Sequence, residues 1–357
     1  MADLSQQLIE RVSRASEEKN PLCIVGRGSK TFLGRHPVGE LVSVARHAGI
    51  VDYQPLECVI TVRAGTSLAE IEAALAEHDQ VLSFEPPTFD GRASIGGTVA
   101  CNLSGPARPW RGGIRDMILG VRLINGVGEH LRFGGQVLKN VAGYDVSRCQ
   151  AGALGTLGVL TELTLRVMPR PAASLTLSQD MGAMSAIREM NRMASTAYPL
   201  TGACWLRNKL YIRVSATRSA VDGVLATWAG DVLDDEHRFW QSLREMQNPF
   251  FARAQALWRF SVRSTADHFL PDLDWLIDWA GSLRWLGFSS SSATIPRAEL
   301  ERAAEAANGQ VMMFRGDDRY DEVFHTQAAA AKQIHVRLKK AFDPAGILNP
   351  GRLYSWL

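Results

Sequence analysis

Three glycine-bearing loops, each set against a short apolar run, constrain this chain more than any other feature. The first is Gly26-Arg27-Gly28-Ser29-Lys30-Thr31, directly after the strand-like run Leu22–Val25. The second follows Glu85-Pro86-Pro87 and reads Ala93-Ser94-Ile95-Gly96-Gly97-Thr98-Val99-Ala100-Cys101-Asn102-Leu103-Ser104-Gly105. The third is Lys139-Asn140-Val141-Ala142-Gly143-Tyr144-Asp145, then Gly152-Ala153-Leu154-Gly155-Thr156-Leu157-Gly158-Val159, running straight into a strand. Glycine permits positive φ and lets a ligand or a second backbone come close. In the first loop, consecutive small residues can turn N–H groups toward one anion, with Ser29 and Thr31 adding hydroxyl donors. It is not a Walker A loop, and Thr31 stands where a Rossmann fingerprint needs its third glycine. Each loop alone also has a structural reading as a tight turn, a bulged loop under a sheet, or close helix–strand packing. Their joint order is what carries weight.

The loops sit in a chain of 357 residues, long enough for two or three domain-sized units. The Pro-bearing stretch Met168-Pro169-Arg170-Pro171 marks a boundary, and seven of the nine tryptophans, Trp205 to Trp285, follow it. We expect domains at 1–170 and 171–318, with a helix and tail at 319–357 returning to the first. In the first domain, strands are expected at Leu22–Val25, Val59–Ala64, Leu119–Ile124, His130–Phe133 and Val159–Val167. Leu4, Leu8 and Val12 mark an N-terminal helix, and Ser67 with Glu70 caps a second helix bearing Leu68, Ile71 and Leu75. Strands outnumber helices and do not alternate strictly with them, which predicts an α+β fold. The second part reads strand, helix, hairpin, helix, then further strands and a helix at Arg297–Ala307, an order that suits a split βαβ, ferredoxin-like cap. No internal repeat is evident. Helical spacing from Val323 to Phe342 ends at Asp343-Pro344-Ala345-Gly346, before Asn349-Pro350-Gly351.

Charge is balanced, 39 Lys+Arg against 37 Asp+Glu, which argues against a nucleic-acid or polybasic membrane surface. The N-terminus lacks the features of a signal peptide, and Gly and Pro break every long uncharged stretch, so a cytoplasmic chain is expected. Cys23, Cys58, Cys101, Cys149 and Cys204 are scattered, with no C-x-x-C. They match neither a zinc site nor an iron–sulfur cluster, so an electron relay through such a cluster would need another chain. The eight histidines form no i, i+2 or i, i+4 pair, and no metal site is expected.

Taken in order, the loops resemble the FAD-binding domain of the vanillyl-alcohol oxidase and p-cresol methylhydroxylase superfamily over residues 20–168, and the C-terminal Phe342-Asp343-Pro344 to Gly351 stretch extends the likeness. FEPPTF, NLSGPARPWRGGIRDMILG and FGGQVLKNVAGYDVSR more narrowly resemble the E-subunit family of bacterial glycolate oxidases. The resemblance implies a two-lobed FAD domain of the p-cresol methylhydroxylase type, a smaller cap and a returning C-terminal segment. It further implies FAD held by Arg27, Gly28, Ser29, Lys30, Thr31, Pro86, Pro87, Gly96, Gly97, Asn102, Gly105, Tyr144, Asp145, Gly155, Gly158, Val159 and Asn349. The flavin is expected to be non-covalent, since the Arg27–Thr31 loop has neither His nor Cys. Implied partners are a catalytic flavoprotein D-type subunit and an iron–sulfur F-type subunit, through which any membrane association would run.

The related hydroxy-acid dehydrogenases carry a His-x-His-type metal site and a Glu-His-Gly motif, which this sequence lacks. Independent oxidation of glycolate is therefore not expected, and no catalytic base stands out. Two alternatives stay open on sequence: a free-standing FAD dehydrogenase using Arg115, Asp116 or Tyr144, and a non-catalytic scaffold that keeps the fold.

Overall fold

The computed structural model describes residues 3–135, 145–289, 295–316 and 319–357. The chain divides into two compact units. One comprises Met1–Leu103, Gly113–Pro169 and Asp318–Leu357, and the other Ser104–Gly112 with Arg170–Asp317.

The first unit opens with the helix Ser5–Glu18, whose Leu8, Val12 and Ala15 are buried on one stripe. That stripe packs on Leu22, Val42, Val44, Ile124, Val159, Ile347 and Leu348, so both ends of the chain share one core. Leu22–Val25 pairs in parallel with Glu40–Ser43, and Leu22 also bridges Leu348. A five-stranded antiparallel sheet follows in the spatial order Ile50–Gln54, Val59–Arg63, Val159–Arg166, Ile118–Ile124 and His130–Gly134. Against it lies the helix Leu68–Ala76, where Ser67 Oγ accepts from Glu70 N at 3.2 Å, and where Leu68, Ile71 and Leu75 are fully buried. This N-cap contact satisfies one of the helix's orphan donors.

Glu40–Ser43 and Ile50–Gln54 are strands that the sequence reading did not expect, and two further elements of this unit differ from it. Ile95–Cys101 is a helix rather than a loop. Its Gly96 packs so closely on Ala64 that a Cβ there would sit 2.7 Å from the Ala64 Cβ, while Gly96 N donates to Ala64 O at 2.8 Å. Tertiary contact outweighs the poor helix propensity of a glycine pair. The terminal helix spans Ala329–Phe342, starting later than Val323. The preceding residues are held another way: Tyr354 Oη donates to His325 O at 3.1 Å, and Ser355 N to Glu322 Oε1 at 2.8 Å.

The second unit is built on one eight-stranded sheet. Its spatial order is Asp231–Val232, Ala173–Asp180, Lys209–Ala216, Leu200–Leu206, Trp275–Asp278, Leu283–Phe288, Ala256–Ser261 and Gln310–Arg315. The first four strands, with helices Ala183–Ala194 and Arg218–Thr227, form a ferredoxin-like βαββαβ unit. The last four repeat the same order with one helix, Arg297–Ala306. The cap thus contains an internal repeat that the sequence did not reveal, because no helix joins Ser261 to Trp275 in the second copy. The copies meet edge to edge, where Trp205 faces Ile277 and Leu206 faces Leu276. All seven tryptophans from Trp205 to Trp285 are buried, each such burial being worth roughly 1.5–3 kcal/mol in transfer terms. Ser104–Gly112, read from sequence with the first domain, is tied into this unit. Trp279 Nε1 donates to Gly105 O at 3.0 Å, and Arg111 Nη2 to Ser215 O at 3.0 Å.

Candidate functional site

A cleft in the first unit gathers most of the expected loops. The strand Leu22–Val25 delivers Gly26–Thr31 to one side, the start of the helix Ile95–Cys101 supplies Ser94, Gly96 and Gly97, and Leu154, Gly155, Gly158 and Asn349 close the far side. Gly28 has φ +77°, a backbone state that penalises any side chain, and the space where its Cβ would stand is open. A Cβ on Gly26 would lie 2.4 Å from Ser94 Oγ and 3.8 Å from Gly97 N, so the first two loops pack directly on each other.

Asn349 joins three segments. Its Oδ1 accepts from Ile24 N at 2.6 Å, and its Nδ2 donates to Leu154 O at 2.6 Å. Gly155, with φ +74°, is required beside it, because a Cβ there would lie 2.7 Å from Asn349 Nδ2. The amide side chain, with both donor and acceptor, suits this bridging place.

Arg27, Lys30 and Arg352 line the cleft, and among the described residues lining it none is acidic. Lys30 is buried, with Nζ 3.1 Å from Ser29 Oγ and 5.4 Å from the centre of the Phe89 ring. Arg352 Nη2 donates to Thr31 O at 2.8 Å, its Nη1 donates to Arg35 O, and burial lowers its pKa. Burial pushes the Cys101 thiol up to about 11, while Lys30 and Arg352 pull it the other way. The thiol therefore stays protonated and is a poor nucleophile. Cations without acids, two backbone-exposing glycine turns and an apolar lining of Ile24, Val44, Ala64 and Leu160 suit a flat ligand carrying phosphates.

Of the residues expected at the site, Arg27, Gly28, Ser29, Lys30, Thr31, Gly96, Gly97, Gly155, Gly158 and Asn349 line this cleft. Pro86, Pro87, Asn102, Asp145 and Val159 do not. Val159 is fully buried in the core shared with the N-terminal helix, and Asp145 accepts from Arg148 N at 3.1 Å as a helix cap. Gly105 belongs to the second unit, and Tyr144 lies outside the described residues. Asp116 Oδ2 accepts from Gly113 N at 2.8 Å, a structural use of that carboxylate. Sequence reasoning missed Ser94, Cys101 and Arg352. For Arg352 the available signal was its place three residues beyond Asn349.

Comparison with known proteins accords with the cleft. Residues 2–134 match the family model described as FAD binding domain, which makes this an FAD-binding oxidoreductase. Over 355 residues the chain is 43% identical to the glycolate oxidase subunit GlcE of Escherichia coli (strain K12), covering 99% of both chains. The chain belongs to the GlcE family of glycolate oxidase subunits. More distant similarity is confined to part of the chain. The glycolate oxidase subunit GlcD of Bacillus subtilis (strain 168) is 31% identical over 165 residues, 45% of this chain and 35% of that one. In fold, an alkyldihydroxyacetonephosphate synthase superposes with TM-score 0.65 at 14% identity, covering 98% of this chain and 76% of that structure.

Proposed function

We propose that this chain is the FAD-binding subunit of a complex that oxidises glycolate to glyoxylate and passes the electrons on through partner subunits. The observation that carries the reading is a cation-lined cleft, without acids among its described residues, to which all three glycine loops contribute, in a chain similar along its whole length to GlcE. Gly28, Ser29, Lys30 and Thr31 would hold the pyrophosphate with Gly97, while Gly155, Gly158 and Asn349 shape the wall for the rest of the cofactor. Arg352 adds a second fixed cation beside the first loop. FAD, when bound, supplies an acceptor for two electrons that can be released singly. The chain's own groups bind, orient and neutralise it.

The flavin is non-covalent in this reading, because among the described residues no histidine lines the cleft and the lining cysteine, Cys101, is held as a thiol. The partners are a D-type flavoprotein carrying the full substrate site and an F-type iron–sulfur protein. The scattered placement of the five cysteines supports assigning the cluster to another chain. No described helix is long and apolar enough to cross a membrane, so membrane association would come through those partners. The reading is tested by purifying the chain alone and with both partners, recording the visible spectrum, and adding glycolate. A yellow chain that glycolate does not bleach, and a complex that it does, are expected. A colourless chain would overturn the cofactor assignment.

A further inference from the structure

Among the described residues, the buried and half-buried arginines of the second unit meet acceptors, with one exception. Arg284 is fully buried and donates to Gly281 O at 3.0 Å, Asp267 O at 2.7 Å and Ala266 O at 2.5 Å. Arg213 donates to Thr201 O at 2.7 Å, and Arg315 to Ala254 O at 2.9 Å. Arg259 departs from this pattern. It sits mid-strand in Ala256–Ser261, opposite Trp285, with its guanidinium carbon 5.3 Å from the Trp279 ring centre and 5.8 Å from that of Trp285. Among the described residues, no hydrogen bond or ion pair reaches that guanidinium. A second arginine, Arg108, lies over the same Trp279 ring at 4.6 Å, and its guanidinium likewise has no acceptor among them. Burial lowers Arg259 to about 10, with Arg108 acting in the same direction and no carboxylate opposing it.

The indole faces attract both cations, but they offer nothing to the N–H groups around the guanidinium edge. Half-buried, Arg259 keeps its N–H groups within reach of solvent and without a protein acceptor, a state in which a guanidinium is open to an anionic ligand. A guanidinium fork matches the two oxygens of a carboxylate. Because both guanidinium groups lie near one ring centre, their carbons are at most about 10 Å apart, so a small anion bound by either one lies in the field of both. The half-buried position of Arg259 favours a small molecule over a protruding acidic side chain.

We propose that Arg108 and Arg259 bracket a binding site for a small carboxylate, walled by Trp279 and Trp285. The choice of a 2-hydroxy acid as ligand rests on the function proposed above; the presence of an anion site does not. Binding here is separate from turnover, so an inert chain can still bind.

The test is titration of the purified full-length, FAD-containing chain with sodium glycolate, followed by tryptophan fluorescence and calorimetry. Ethylene glycol, which lacks the carboxylate, is the control. Glycolate should bind and ethylene glycol should not. Arg259→Gln should raise Kd at least tenfold, Arg108→Gln severalfold, and Arg259→Lys should recover part of the loss. Arg108 is exposed, so its variant reports even where Arg259→Gln fails to fold. Unchanged Kd in the glutamine variants, or an equal response to ethylene glycol, overturns the proposal. So does a wild-type chain that ignores glycolate while the same variants lose capture of the D-type partner, since the site would then take an acidic side chain. Flavin content measured on the same samples separates the two readings. A yellow chain that does not bind glycolate contradicts this inference alone, and a flavin-free chain that binds it contradicts the cofactor assignment alone.

Discussion

Lys339 Nζ lies 2.6 Å from Asp343 Oδ2, one turn along the terminal helix, and the pair ties that helix to the segments that form the cleft. Lys339 also donates to Thr156 O at 2.9 Å and Leu348 O at 2.6 Å, while Asp343 accepts from Ile347 N at 3.1 Å and Leu348 N at 2.7 Å. Thr156 stands in the third glycine loop, and Leu348 directly precedes Asn349. Burial lowers the lysine pKa and Asp343 opposes the shift. Removing one member leaves the other buried and unpaired, which costs about 3–5 kcal/mol. Asp343→Ala and Lys339→Ala should each lower the urea midpoint accordingly and reduce flavin content. A Lys339→Met, Asp343→Leu double variant should regain much of the stability. Single variants that melt like the parent would show the pair to be incidental.

Gly28 and Gly97 test the cleft by sterics. At Gly28, a β-branched side chain must accept φ +77° and would enter the open space of the cleft. At Gly97, a longer side chain points toward Ser94 Oγ and Lys30 Nζ, which would lie 3.2 Å and 3.9 Å from its Cβ. Gly28→Val should weaken FAD binding by at least about tenfold, a loss of about 1.4 kcal/mol, because its side chain takes up space that the ligand needs, and Gly97→Leu should empty the site similarly. Gly182→Ala, with nothing within 4 Å of the new carbon, is the control. Full flavin content in both cleft variants would remove these loops from the site.

Acid precipitation should release all the yellow colour into the supernatant, because Cys101 remains a thiol and no histidine lines the cleft among the described residues. Colour in the pellet that disappears in Cys101→Ala would show a covalent link at that residue.

His47 makes stability pH-dependent. It is fully buried, and its Nδ1 accepts from Leu4 N at 3.0 Å, which requires an unprotonated Nδ1. Burial lowers its pKa below the usual 6.5, against the pull of Asp3. As pH falls below 6.5, the unfolded chain takes up the proton first, so stability declines until pH passes the lowered folded value and is flat below it. His130 and His268 are lowered too, again chiefly by burial. Denaturation midpoints between pH 8 and pH 5 should fall, and His47→Gln should flatten part of that decline. An identical pH slope in the variant would acquit His47.

Regular periodicity made much of the fold readable. Alternation in Val159–Arg166 and the Leu68, Ile71, Leu75 stripe marked elements found where expected. Trp275–Asp278 escaped notice because all four residues are buried, which erases the alternation of a half-exposed strand. Gly96-Gly97 read as a loop because local propensity knows nothing of Ala64, the packing partner 32 residues before Gly96. Within the site, backbone-shaping glycines announced themselves by residue type. Arg352 did not, since an arginine looks alike on a surface and in a cleft until distant segments bring its neighbours together.

Dye reduction with saturating glycolate, by the purified FAD-containing chain alone and by the chain co-expressed with its D-type and F-type partners, tests the central claim most directly. Oxidation of a hydroxy acid needs a base at the substrate hydroxyl as well as a flavin, and no residue described here fills that place. The chain alone should remain at background while the assembled complex turns over. Turnover by the single chain comparable to that of the complex would contradict the subunit reading and establish a free-standing dehydrogenase.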